Sequence, residues 1–216
     1  MTETLIDAPV QAVEPAPAND QATKPRRKFD VQPVLEKLFE LYPHLFGAEF
    51  LPLKLGIFQE LLAAHPDLFE RETLKAALGL HTRSGRYLHS VAVGNKRHDL
   101  QGAAVEDVSP EHIYLAMLEL FRRRQARSQE DLRPKFRTQL IAAFEASGLT
   151  RQDYLARVQT SNADTNTLLE EALADYDQKQ AKQEALQRAF KSSGKTPAEF
   201  ADMYGMDPRE VARALA

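Results

Sequence analysis

PLKLGIFQELL (residues 52–62) and LKAALGLHTRSGRYLHSVAVGNKRHDLQG (residues 74–102) decide how this chain is read. Their basic and aromatic residues sit where a packed domain needs them least. Lys54 opens an apolar helical pattern, Arg86 and Tyr87 are adjacent, and Lys96 and Arg97 precede His98-Asp99-Leu100. From 71 to 100 there are six lysines and arginines (71, 75, 83, 86, 96, 97) against two acids (72, 99), a surplus of four positive charges. His81, His89 and His98 lie in the same stretch. Cations interleaved with a tyrosine suit a polyphosphate that carries stackable bases.

Outward from this stretch the first half of the chain reads as mostly helical. Val34, Leu35, Leu38, Phe39 and Leu41 recur at helical spacing, and Pro33 suits a first turn. A second helix is expected over 53–64 and a third over 70–80. Residues 83–92 read as a short helix or turn. Residues 96–100 and 104–108 flank Gln101-Gly102 and are expected to pair as a two-stranded hairpin. Ser109-Pro110-Glu111-His112 offers an N-cap, a proline at the first helical position and an acidic first turn. The helix that follows ends in Arg122-Arg123-Arg124.

These residues carry a family resemblance. Pro52-Leu53-Lys54-Leu55-Gly56-Ile57-Phe58, Arg86-Tyr87-Leu88 and Arg97-His98-Asp99-Leu100-Gln101-Gly102 resemble the ProQ/FinO domain of bacterial RNA chaperones. Tyr42-Pro43-His44-Leu45-Phe46 before them and the 109–112 helix start after them agree in order and spacing. The resemblance covers about residues 29–124. It implies an α+β, mostly α-helical domain with a small β-hairpin, here followed by an α-helical C-terminal region. It also implies binding of structured RNA, small RNAs and the 3′ hairpins of messengers, at the base of a hairpin with a 3′ tail. Lys54, Tyr87 and Arg97 match the family's RNA-binding positions, and Lys75, Arg83, Arg86 and Lys96 would extend the basic track. The sequence departs from better-known members at Gly79 and His81, where those tend to carry Arg and Tyr. Arg83, one turn on, could compensate.

Each anchor has a plainer reading. Lys54 could be a snorkelling surface lysine rather than a phosphate ligand at a helix N-terminus. Arg97 could be a surface strand cation rather than a bidentate phosphate grip. Tyr87 could be a half-buried core residue rather than a stacking platform. The binding reading is the expectation for Tyr87, because Arg86 and Arg97 would make an apolar burial site for its ring electrostatically awkward.

Composition bounds the rest. The chain has 216 residues, is 43% hydrophobic, contains no cysteine and has a formal charge of −3. Absence of cysteine excludes disulfides and thiolate sites and suits a reducing cytoplasm. No apolar run approaches the ~18 residues of a membrane span, and MTETLIDAPVQAVEPAPAND lacks the pattern of a signal peptide. The six histidines (44, 65, 81, 89, 98, 112) form no close ligand pair, and no P-loop, GxSxG or GxGxxG occurs. Neither a catalytic residue, a metal site nor a cofactor is expected.

Four segments are expected. Residues 1–28, ending in the basic cluster Lys24-Pro25-Arg26-Arg27-Lys28, read as a disordered tail. Residues 29–124 form the RNA-binding domain. Residues 125–137 read as a basic linker. The stretch 122–137 carries seven cations against two acids and could itself touch RNA. Residues 138–216 read as a helical region with a two-copy repeat: AFEASGLTRQDY (143–154) matches AFKSSGKTPAEF (189–200) at an offset of 46. Each copy predicts a helix, a glycine stop, a threonine N-cap and an acid three residues on. Residues 200–211 resemble a helix-turn-helix, but 138–216 holds nine bases against twelve acids, an unusual setting for a DNA-reading helix. A protein-interaction adaptor or DNA-binding regulator acting through this region is the alternative to RNA chaperoning.

Overall fold

The computed structural model describes residues 30–215. The tail expected over 1–28, with its basic cluster, lies outside these residues.

The N-terminal half is built from α1 (Gln32–Leu41), α2 (Pro43–Phe46), α3 (Ile57–Ala64), α4 (Arg71–Thr82) and α5 (Gly85–Ala92). A small sheet of β1 (Arg97–His98) and β2 (Ala104–Glu106) follows, then α6 (Pro110–Gln125). The hairpin is therefore shorter than the strands expected over 96–100 and 104–108. Asp99 ends it: its Oδ1 accepts the N–H groups of Gln101 (3.0 Å) and Ala103 (2.9 Å) and turns the chain. Gly102 completes the turn at φ +80°, where a Cβ would stand 2.6 Å from the His44 ring. Both the positive φ and the close approach require glycine here.

The expected helix over 53–64 begins only at Ile57. The preceding residues are held extended. His98 donates its N–H to the Pro52 carbonyl (2.8 Å), and the Lys54 N–H reaches the His98 carbonyl (2.9 Å). Leu53 thus pairs in parallel with His98 beside the antiparallel hairpin. A long-range backbone ladder outcompetes local helix propensity at these residues.

Apolar residues from α1 through α6 close one core, including Leu38, Leu45, Leu61, Leu74, Tyr87 and Leu100. A second core joins Tyr114, Met117 and Leu118 of α6 to three later helices, α7 (Arg133–Ser147), α8 (Arg151–Val158) and α9 (Ala163–Ser193). The expected basic linker over 125–137 therefore contains the first turn of α7, with Phe136 buried and stacked on Phe121 (4.3 Å between ring centres). Pro134 does not break structure. It stands in the first turn of α7, where its missing N–H costs nothing. α6 is amphipathic on two sides: Ala116 faces the first core while Tyr114, Met117 and Leu118 face the second.

The repeat is realised in three dimensions. Gly148 (φ +62°) and Gly194 (φ +63°) end α7 and α9 in the left-handed conformation. Thr150 accepts the Asp153 N–H, and Thr196 accepts the Glu199 N–H while Glu199 bonds back. The next helices, α8 and α10 (Pro197–Tyr204), match end for end at the same offset. The ring pair Phe144–Tyr154 (5.2 Å) recurs as Phe190–Phe200 (5.5 Å). α9 serves both copies: Leu169 and Leu173 lie in the second core, whereas Leu186 and Phe190 pack on Phe200 and Val211 of α11 (Pro208–Leu215) in a third.

Because α6 walls the second core, residues 138–216 do not carry a complete core of their own. A fragment 138–216 is expected to lack the cooperative thermal transition that circular dichroism reads for the full chain. Thr196→Ala in the full chain should cost about 1 kcal/mol by removing the capping box, read as a lowered midpoint in urea.

Candidate nucleic-acid interface

The sequence-predicted site residues divide into a buried pair and an outer set. Tyr87 and Arg97 are each 7% exposed. Lys75, Arg83, Arg86 and Lys96 are exposed, and Lys54 is intermediate.

Tyr87 lies in the first turn of α5, which Ser84 starts by accepting the Tyr87 N–H (3.2 Å). Its ring points inward against His81 (5.3 Å), itself packed on Phe46 (4.7 Å) and Phe50 (4.4 Å). Its hydroxyl accepts the N–H of Leu53 (3.1 Å). Tyr87 is therefore a core residue, and the expected open stacking platform is not what this ring presents. The anticipated electrostatic conflict does not arise. Arg86 turns outward over the Phe50 face (5.7 Å), and Arg97 is itself satisfied by partners.

Arg97 donates from Nη1 to the Leu53 carbonyl (2.9 Å) and from Nη2 to Nδ1 of His112 (3.1 Å). Ser109 Oγ also reaches that nitrogen (2.9 Å). Ser109 thus spends its hydroxyl on His112 and not on a backbone cap of α6. Glu106 Oε1 lies 3.9 Å from Arg97 Nε and accepts the Leu55 N–H (3.1 Å). Residues 53–55 are thus gripped by Tyr87, Arg97, His98 and Glu106 together. Lys54 is the side chain this grip presents. Its Nζ contacts Glu60 Oε1 (2.5 Å), a bond that raises its pKa and keeps it charged.

Lys75, Gly79 and Arg83 follow at four-residue intervals along α4 and its C-cap. The Arg83 guanidinium folds back over Gly79, 3.4 Å from where a Cβ at 79 would stand. Arg83 therefore places its guanidinium over the surface that the missing side chain at Gly79 leaves open. Arg123 Nη1 holds this turn by donating to the Arg83 carbonyl (2.8 Å). Lys96 stands apart, 3.5 Å from Asp107.

Glu106, His112 and Phe50 complete the arrangement and were not singled out in the sequence. His112 was visible only as part of a helix start. Nothing local marked Glu106 or Phe50, because their partners are 51 and 36 residues away in the chain. Among the described residues no cluster of three or more histidines and acids could hold a metal ion, and no helix is long and apolar enough to cross a membrane.

The arrangement is that of a small helical domain whose packed interior fixes one extended segment and turns cations outward around it. Comparison with known proteins gives that class a family. The ProQ/FINO family model matches residues 29–133, and this part of the chain belongs to that family. The RNA chaperone ProQ of Shewanella frigidimarina is 39% identical over 95 residues, 42% of this chain and 47% of that protein. The chain thus spans about half the length of this curated relative. A FinO-like RNA chaperone from Neisseria meningitidis of known crystal structure is 32% identical. That match covers 40% of this chain and 89% of that one, with a TM-score of 0.37. A ProQ homologue from Legionella pneumophila, solved by NMR, is 26% identical. It covers 56% of this chain and 99% of that one, also at a TM-score of 0.37.

Two expected outcomes follow from the buried residues. Tyr87→Ala should destabilise the protein by about 3–5 kcal/mol, as large-to-small core changes do, whereas Tyr87→Phe should cost about 1–3 kcal/mol for the Leu53 N–H left unpaired. Urea unfolding of both variants measures this.

His81 gives a pH dependence. Burial lowers its pKa to about 4 from the ordinary 6.5, and its Nε2 has no hydrogen-bond partner. The unfolded state then binds more protons between about pH 6.5 and 4. His81's contribution is fully present above pH 6.5 and is lost as pH falls through that window, amounting to a few kcal/mol. Stability measured from pH 7.5 to 4 should fall more steeply for the native protein than for His81→Phe.

Proposed function

We propose that this protein is an RNA chaperone that binds structured RNA, through the face formed by residues 50–54, α4 and α5. One observation carries the reading. Within the segment that belongs to the ProQ/FinO family, the packed interior is committed to fixing Lys54, while Arg83 and Arg86 stand outward on the α4–α5 turn. A rigid set of cations at fixed spacing reads the backbone and shape of a folded RNA, which is how double-stranded RNA is recognised when its deep groove is closed to side chains.

In this reading the site residues divide their labour. Lys54, Lys75, Arg83, Arg86 and Lys96 touch phosphate. Arg97 and Tyr87 act through Lys54 by holding its backbone. The RNAs are small RNAs and messenger 3′ ends, bound at the base of a hairpin with a 3′ tail, and the activity is post-transcriptional regulation by binding, without catalysis. Such work places the protein in the cytoplasm.

Lys54→Ala, Arg83→Ala and Arg86→Ala should each weaken binding of a hairpin RNA with a 3′ tail while leaving the thermal midpoint within a few degrees. Each lost phosphate contact should lower the slope of log K against log salt by about 0.7–0.9. Arg97→Ala should lower both affinity and stability, because it leaves the Leu53 carbonyl and His112 without their shared donor. Native affinity and salt dependence in all three outer variants, with native circular dichroism, would remove this face from RNA binding.

A further inference from the structure

A groove of about 1050 Å³ opens between α5 and the β2–α6 connection on one side and α7 and α8 on the other, with α6 beneath. Its apolar surface includes Val93, Ile113, Phe121 and Leu149. Val93 is 63% exposed, which leaves a large aliphatic surface open at the rim.

The charges around it are sorted. Arg124, Lys135 and Arg157 line the groove and His89 stands at its edge. Arg124 and Lys135 have no ion-pair partner among the described residues. Arg157 has Glu111 in its neighbourhood but no carboxylate within ion-pair distance. Of the cations on the same helices that point elsewhere, four are paired: Arg123 with Glu119, Arg133 with Asp131, Arg137 with Glu171 and Asp175, Arg151 with Asp177. Arg122 and Arg127 are also unpaired but lie outside the groove. The acid that lines it, Asp107, is answered by Lys96 at 3.5 Å. In a chain of net charge −3, unpaired cations turned toward one apolar groove leave a positive field there.

The groove is continuous with the face proposed above. Arg86, His89 and Val93 follow at helical spacing along the exposed side of α5. The seven helical steps from Arg86 to Val93 rise about 10 Å, a distance that a short extended strand can cross.

We propose that this groove is a second RNA-binding surface. It takes a single-stranded segment leaving the α4–α5 face, with phosphates on Arg124, Lys135 and Arg157 and bases against the apolar floor. A single strand is the form that fits, because its bases are free to meet an apolar wall. The inference rests on the RNA-binding reading, and it gives the helical C-terminal region a part in that function: α7 and α8 supply Lys135 and Arg157.

The test compares two triple variants of the full chain. Arg124→Gln/Lys135→Gln/Arg157→Gln removes three groove cations. Arg133→Gln/Arg137→Gln/Arg151→Gln removes the same charge from paired positions facing elsewhere. Five of the six side chains are exposed and Arg137 is half-buried, and thermal melts check that both variants fold. The probes are a labelled hairpin with a long single-stranded extension and the same hairpin without it. The groove variant should lose at least about tenfold in affinity for the extended RNA, and its salt slope should fall by about 2, three single-strand contacts at ~0.7 each. It should bind the bare hairpin as the native protein does, and the control variant should change either affinity less than about twofold. Native affinity of the groove variant for the extended RNA, or equal losses on both RNAs, overturns the groove while leaving the α4–α5 face intact. A native protein that binds neither RNA overturns the RNA-binding reading itself. Unchanged RNA affinity with lost binding of a polyglutamate peptide would make the groove a protein-binding surface and overturn the proposal.

Discussion

Arg97 is 7% exposed, and the geometry of the N-terminal half depends on how its charge is accommodated. A buried cation is costly unless hydrogen bonds and counter-charge replace its water. Here the replacements are the Leu53 carbonyl, Nδ1 of His112 and, more distantly, Glu106. Those partners come from the extended segment before α3, the start of α6 and strand β2. The extended segment is thus fixed to two elements far downstream of it by the need to satisfy one charge. Arginine suits the task because its planar fork offers separate donors in fixed directions.

The same constraint shapes the outer face. Leu53 is held from one side by Arg97 and from the other by the Tyr87 hydroxyl, so the neighbouring Lys54 leaves a segment with little freedom of its own. Behind it, Phe46, Phe50, His81 and Tyr87 form an aromatic layer in which histidine is neutral by burial. A charged group in that layer would add a second buried cation close to Arg97. His81 therefore belongs to the packing, whereas Gly79 belongs to the outer face, where Arg83 lies over it.

Much of this was legible in the sequence because it is local. Helix spacing, the Gly-then-Thr stops at 148–150 and 194–196, and the turn at Gly102 depend on residues within a few positions of each other. The family motifs point to a set of residues. What they do not encode is whether a residue touches the ligand or holds the one that does. Tyr87 and Arg97 look like ligands in a linear reading because an arginine beside a tyrosine suggests an exposed basic surface. Only the fold brings Leu53, 34 residues from Tyr87, into reach of its hydroxyl and gives the buried ring its polar partner. The linker expected over 125–137 holds the start of α7, hidden in the sequence for a related reason. Its charge density hid Phe136 and Leu132, and the apolar spacing of α7 becomes regular only beyond Pro134.

The shared use of α6 and α9 ties the N-terminal half to the helices that follow it. α6 closes the first core with one side and the second with the other, so tilting α7 and α8 against the N-terminal half would expose Tyr114, Met117 and Leu118. The first repeat copy is docked in this way, and its Val158 is buried. At the matching position of the second copy Tyr204 is 57% exposed. The two copies share local sequence and turn chemistry but differ in what packs on them. Docking of the first copy is also what brings Lys135 and Arg157 alongside the Arg124 end of α6. In a chain whose acids outnumber its bases, a concentration of positive charge comes from where the helices pack and which cations they leave unpaired.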